Sequence, residues 1–405
     1  MTDEQIKGTP RRGPLSDLKV LDLSRILAGP YLTMCLGDMG AQVIKVEIPG
    51  AGDDTRSWGP PFLGQDSAYF LAINRNKESL TVNLKDPRGQ NIIRQLVKDT
   101  DILVENFRPR VLERLNLTYP VLLAENRKLI MLHISAFGES GPYKDLPGYD
   151  ILAQAMGGAM SVTGDADGEP VKMGFAIGDL GAAMYGLTGV LAALHERSLT
   201  GQGQYLTTSL YETQLAFHIN WAMNYFLTGD TPLGLGTAHP NLAPYQAFQT
   251  ADGHLVLAVG NDTLWGKLCE VLPAPELAND ARFNSNANRV RHRPLLSEKL
   301  TQIFLKNERD TWIKRLRSAG IPAGPILSIP EIYSSPQVQA LHAVQTITHP
   351  LQTDLPQVAF PVHFSSPEGW LRKPPPMVGE HTETILRRLG YSSDMLADLA
   401  KDRVI

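Results

Sequence analysis

A chain of 405 residues with 43% hydrophobic and 20% charged residues is globular in balance and long for a single core, so two domains are expected. Its formal net charge of -4, with Lys and Arg scattered along it, excludes the basic footprint of a nucleic-acid binder. Cys35 and Cys269 are too few for a disulfide framework and too far apart for a metal cluster, which fits a reducing, cytoplasmic compartment.

The chain opens on a polar lead-in, MTDEQIKGTPRRGPLSD, without the apolar core of a signal peptide. Val20 to Leu23 reads as a strand that turns at Ser24 and Arg25 and stops at Gly29 and Pro30. Tyr31 to Gly40 has helical spacing, and Val43 to Ile48 is a second β-branched run. The unit repeats with Leu80 to Leu84 as a strand, a helix from Pro87, a strand over Asp101 to Phe107, a helix in RVLERLNL and a strand in Lys128 to Gly138. Such alternation predicts a doubly wound α/β domain, with ligand at the carboxyl ends of its strands, in the loops after Leu23, Ile48, Phe107 and Ile134.

Asp150 to Met160 is helical in pattern, and Asp150 by itself reads as an N-cap. In GFAIGDLGAAMYG, Asp179 stands among small and apolar residues that would not solvate it. It reads either as the cap of a helix over Leu180 to Glu196 or as a group used for chemistry. Gly174 to Leu194 is about long enough to span a bilayer, yet it carries this acid, so a buried helix is expected and no membrane partner. Tyr205 to Phe217 begins as a strand and continues as a helix. Gly and Pro cluster over Leu227 to Phe248, which sets a linker there. Domain spans of 1–226, 227–330 and 331–405 follow. Short strands at YQAFQT and His254 to Gly260 and helices through Trp265, Leu272, Leu295 and Ile303 fill the second. A proline-spaced extended segment, Thr346 to Pro376, precedes a last helix in GEHTETILRRLG.

Taken singly, the motifs favour structural roles. The glycine patterns at Gly50 and Gly234 do not complete GxGxxG, there is no GxSxG elbow, and the histidines form no HExxH or other zinc pair, so no metal is expected. His239 and His381 read as loop or cap residues. Asn106, Phe107, Arg108 and Arg114 put an amide, a ring and cations at the mouth of a parallel sheet, which suits a nucleotide.

In order along the chain, RILAGP (Arg25 to Pro30), NRNKESLTVNLK (Asn74 to Lys85), VENFRPRVLERL (Val104 to Leu115), GYD (Gly148 to Asp150), IGDLG around Asp179, TGQGQ (Thr200 to Gln204) and GEHT (Gly379 to Thr382) resemble the class III coenzyme A transferases of the CaiB/BaiF type. The resemblance implies a large Rossmann-like α/β domain built from both chain ends around a parallel sheet. It further implies a smaller inserted α/β domain and an interlocked homodimer. It assigns Asp179 as catalytic and Ile26, Leu27, Ala28, Leu84, Lys85, Asn106, Phe107 and Arg114 to coenzyme A, and sets Tyr149 and Asp150 beside the reacting acyl carbon. Coenzyme A thioester is then a substrate, exchanged with a carboxylic acid through an aspartyl anhydride and an aspartyl thioester, with no permanently bound cofactor.

Two other readings stand beside this one: an α-methylacyl-CoA racemase-like proton transfer and a non-catalytic acyl-CoA binding protein. The racemases carry a histidine where this chain has Tyr149, and a phenol is a poor base at neutral pH. Formyl-CoA transferases carry glutamine at Leu27. The stretch Gly236 to Asn261 looks most like succinyl-CoA:glutarate and related dicarboxylate CoA-transferases, and Arg108 or His239 is the expected partner of a second substrate carboxylate.

Overall fold

A computed structural model describes residues 13–365 and 370–405; the polar lead-in over residues 1–12 lies outside them. The described chain forms two compact units, one of residues up to Gly157, Gly174–Phe217 and Gln337–Ile405, the other of Gly158–Met173 and His218–Pro336.

The first unit is built on a six-stranded sheet of β1 (Lys19–Asp22), β2 (Gln42–Glu47), β3 (Lys77–Thr81), β4 (Ile102–Glu105), β5 (Ile130–Ser135) and β6 (Tyr205–Ser209). The spatial order is β3-β2-β1-β4-β5-β6 and every pairing is parallel. That is the doubly wound order expected, with its reversal between β1 and β4. Near-continuous apolar runs such as Ile102–Val104 and Ile130–Leu132 are fully buried, as strands covered on both faces must be.

Two boundaries differ from expectation for physical reasons. Helix α1 (Ala28–Asp38) takes in Gly29 and Pro30 rather than starting after them, because a proline in the first turn lacks only an N–H that has no helical partner. Strand β3 begins at Lys77, not Leu80, because that lysine is neutralised inside the fold rather than solvated. The C-terminal segment adds no strand to the sheet. Its proline-spaced stretch contains an antiparallel hairpin, Val344–His349 with Gln352–Val358, where Pro356 sits in a pair with free edges. The helix Thr382–Arg388 is not the last; Ser393–Lys401 follows, capped by Ser392.

Helix α2 (Asp150–Met156) leads to α3 (Ile177–Thr200), 24 residues long and apolar enough by length and composition to cross a membrane. Only one face is buried, contrary to the expectation of a buried helix. Gly178, Ala182, Gly186, Val190 and Ala193 face inward, while Met184, Tyr185, Leu191 and Leu199 are exposed. The small residues permit close packing. A Cβ on Gly181 would lie 2.2 Å from Thr213 Cγ2, on helix α4 (Leu210–Phe217), and 2.6 Å from the Phe217 ring. Gly181→Ala is accordingly expected to cost about 1–3 kcal/mol by overpacking, read as a lower urea midpoint at unchanged slope.

The second unit packs helices on a three-stranded antiparallel sheet of β7 (Tyr245–Gln249), β8 (His254–Ala258) and β9 (Ala323–Pro325). Its core joins Trp265, Phe283, Phe304 and Trp312. Trp312 lies on Arg309–Ser318, a helix not foreseen in the sequence because its outer face is so heavily charged.

Candidate active site

The strand order reverses between β1 and β4, and the loops that follow these two strands are pinned together. Asn106 Oδ1 accepts the Arg25 N–H at 2.8 Å and Asn106 Nδ2 donates to the Arg25 carbonyl at 2.8 Å. The Arg25 guanidinium lies 5.6 Å from the centre of the Phe107 ring, within cation–π range. Held between these bonds, Ile26 adopts φ 70°, the left-handed region that a β-branched residue enters only under constraint. Its N–H reaches Asp53 Oδ1 at 3.4 Å. Two residues on, Ala28 opens α1, and its backbone N–H, one of the donors a helix start leaves unpaired, faces the carboxylate of Asp179 closely enough to lower its pKa.

Asp179 is not the cap of its helix. The helix starts at Ile177 with Ala176 as N-cap, which supplies no side-chain bond, so Asp179 lies in the first turn. The cap comes from another helix: Asp150 Oδ1 accepts the N–H groups of Gly178 at 2.8 Å and Asp179 at 3.4 Å, while its Oδ2 accepts from Gln154 Nε2 at 2.7 Å. Asp150 therefore does not cap its own helix either; Tyr149 holds that position. Gly178 cannot serve as the free oxyanion donor that its flexibility invites, because its N–H is spent on Asp150. A side chain there would meet Asp150 Oδ1 at 3.0 Å and Gln214 Nε2 at 3.1 Å.

Burial, and then the negative charge of Asp150, push the Asp179 carboxyl up to about 7, and the Ala28 N–H opposes them. A carboxyl titrating near neutrality is unusual for an acid and typical of one used in chemistry. At neutral pH an appreciable share of it is therefore an anion.

Beneath the β1 loop lies a charged array that the sequence did not reveal. Lys77 Nζ bonds to Asp22 Oδ2 (3.0 Å), Asn74 Oδ1 (2.9 Å) and the Pro30 carbonyl (2.8 Å). Lys45 Nζ bonds to Asp53 Oδ2 (2.8 Å) and the Ser24 carbonyl (3.0 Å). Burial takes the Lys77 amine down to about 8 against the pull of Asp22. The only signal available was the presence of charges inside apolar strands, in KVLD, QVIKVE and KESLT.

The structure thus brings together Ile26, Leu27, Ala28, Asn106, Phe107, Asp150 and Asp179. Leu84 packs on the core beyond β3 and Lys85 is exposed beside it. Arg108 and Arg114 are also exposed; with Arg110 they line a shallow hollow closed by Asp145 and Pro147. A cavity of about 600 Å³ adjoins it, lined by Phe107, Arg108, Tyr119, His133, Lys144 and Tyr205. Tyr149 is exposed. His239 belongs to the second unit, where its Nδ1 accepts the Asn241 N–H at 3.0 Å and Arg293 grips the carbonyls of His239 and Pro240, each at 2.7 Å. Burial and the Arg293 charge lower its pKa, so at neutral pH it is a neutral ring with Nε2–H as its donor. His381, the other histidine of interest, ties β3 to the C-terminal segment through Ser79 N–H to its Nδ1 at 3.2 Å.

The chain as a whole is similar to known proteins. The chain is 40% identical to succinyl-CoA:glutarate CoA-transferase of Mus musculus over 97% of its length and 90% of that protein. It is 41% identical to succinate–glutarate CoA-transferase of Agrobacterium fabrum over 94% of its length and 96% of that protein. A crystal structure of a CAIB/BAIF family protein from Brucella suis superposes with a TM-score of 0.83 at 39% identity, over 93% of this chain and all (100%) of the other. The profile of CoA-transferase family III matches residues 15–382, and the chain belongs to that family: it is an enzyme that transfers coenzyme A.

Proposed function

We propose that the enzyme moves coenzyme A from succinyl-CoA to a dicarboxylic acid, with Asp179 as nucleophile. The Asp179 carboxylate attacks the thioester carbonyl, forming a mixed anhydride and releasing the coenzyme A thiolate. The thiolate attacks the aspartyl carbonyl, which frees succinate and leaves an aspartyl thioester. The incoming carboxylate attacks that thioester to give a second anhydride, and the thiolate takes the new acyl group and returns Asp179 to its anionic form. The observation that carries this reading is the half-buried Asp179 carboxyl on the first turn of α3, beside the charge of Asp150 and facing the Ala28 N–H, with its pKa raised to about 7.

The cations of Arg108, Arg110 and Arg114 support a place for the phosphates of coenzyme A, and the adjoining cavity lies in the size range of cofactor pockets. His239 suits the distal carboxylate of the acid as a neutral donor on a loop fixed by Arg293. The names of the relatives from Mus musculus and Agrobacterium fabrum favour glutarate as an acceptor. We also propose a homodimer: Ile151, Leu152 and Met156 on α2, Tyr149 at its N-cap, and Tyr185, Leu215 and Phe217 are large apolar residues left exposed on the first unit. Both cysteines are free and buried, in keeping with the cytoplasmic compartment proposed.

A panel of mono- and dicarboxylic acids with succinyl-CoA as donor tests the substrate class. His239→Ala is expected to raise KM for the preferred dicarboxylate about tenfold and to leave KM for succinyl-CoA unchanged. Arg108→Ala separates the two uses of that cation: a rise in KM for succinyl-CoA assigns it to phosphate, a rise for the acid alone to the distal carboxylate. Deuterium uptake at the α-carbon of a 2-methylacyl-CoA, without exchange into free acid, would replace the transfer reading by racemisation.

A further inference from the structure

One buried pair on the wall of the cavity is bonded within the protein itself. Glu105, the last residue of β4, and His133 of β5 are paired in register, and the carboxylate and the imidazole Nδ1 hydrogen-bond directly. The other carboxylate oxygen, Oε2, accepts the Phe107 N–H at 2.9 Å. Burial pulls the imidazole down, but the bond to Glu105 and the charges of Glu105 and Glu139 carry its pKa above the ordinary value. The pair therefore fixes the backbone immediately after β4, and Asn106, inside that turn, clamps both backbone groups of Arg25, next to Ile26 in its left-handed conformation and two residues before the Ala28 N–H that faces Asp179.

We infer that His133 is a positioning residue for the Asp179 carboxyl, acting through Glu105 and the Asn106 clamp. The His133–Glu105 bond is buried, and the bonds of Glu105 to Phe107 N–H and of Asn106 to Arg25 are partly buried; the constrained Ile26 gives the chain something to do. Ile26 stays in that conformation only while the two loops are held together, so loosening Glu105 lets the β1 loop relax and withdraws the Ala28 N–H. The inference rests on the reading of Asp179 as nucleophile.

The test therefore begins with wild-type enzyme, incubated with succinyl-CoA and trapped with borohydride, with the adduct located by peptide mass. No adduct at Asp179 would refute that reading itself, and this inference with it. With the wild-type adduct in hand, His133→Ala is expected to lower both kcat and the adduct rate by about 10- to 100-fold, with KM for succinyl-CoA within threefold. His133→Asn, whose amide can replace the Nδ1 donor, is expected to recover most of the loss. Because both act through one path, His133→Ala added to Asn106→Ala should cost little more than the worse single change. An adduct rate within twofold of wild type in His133→Ala overturns the inference, as does a rise in KM at constant kcat, which would make His133 a cavity-lining residue only. If His133→Ala does not fold, Glu105→Gln, of equal volume, is measured in its place; it must show the same split between kcat and KM.

Discussion

An Asp179→Asn enzyme is expected to fold, to bind succinyl-CoA and to lose about four orders of magnitude or more in kcat. The amide keeps the shape and an acceptor facing the Ala28 N–H but has no anionic oxygen to place on the thioester carbon. The same variant is expected to be more stable than wild type at pH 8. The folded carboxyl titrates at about 7 against an ordinary 3.8, so the folded state binds its proton more tightly than the unfolded state does. That stabilisation is complete below about pH 4 and is lost as pH rises through 7. The asparagine variant has no charge to bury, and its advantage should reach about 1–3 kcal/mol at pH 8 and close toward pH 4. Thermal melts at the two pH values measure it. In wild type, kcat/KM is expected to rise with pH through a limb near 7, and Asp150→Asn to move that limb toward acid by removing the neighbouring charge. Transfer by Asp179→Asn within tenfold of wild type would remove the residue from the mechanism.

The second large effect lies in stability. Lys77→Met is expected to destabilise the first unit by about 3–5 kcal/mol, the cost of stranding one member of a buried ion pair. Asp22 and Lys77 are both fully enclosed. Asp22 would keep Thr33 Oγ1 at 2.6 Å, but lose its direct cation. Adding Asp22→Asn removes the stranded charge and should return part of the loss, so the double variant is expected to be more stable than Lys77→Met alone. Chemical denaturation of the four proteins of this cycle gives the coupling. A loss below 1 kcal/mol in Lys77→Met would mean that water reaches Asp22 and that the array is not closed.

The alternation of strands and helices was legible because each parallel strand is a short apolar run bounded by turn residues, and that alone implied the sheet and where to expect its ligand. Helix starts were less legible where the partner is remote. The bonds that cap α3 come from Asp150, 28 and 29 residues earlier, and no local pattern encodes them. The buried array was hidden for the same reason: Lys77 lies 55 residues from the Asp22 that neutralises it, so in sequence it looked like a solvated strand end. The proposal for Asp179 came from the order of motifs and not from its surroundings, since small neighbours suit a packed helix as well as a reactive acid. Arg108, Arg110 and Arg114, close together in the sequence, line one hollow with Asp145 and Pro147, about 30 residues on, which no local pattern encodes.

The bonds from Gly178 and Asp179 to Asp150 join two properties that are usually adjusted separately. The residue that completes the helix start also adds to how tightly Asp179 holds its proton. Asp150→Ala would change both at once, whereas Asp150→Asn keeps an Oδ1 acceptor for the helix start and removes only the charge. A path that lowers the working pH of this enzyme without weakening α3 therefore runs through the amide at position 150.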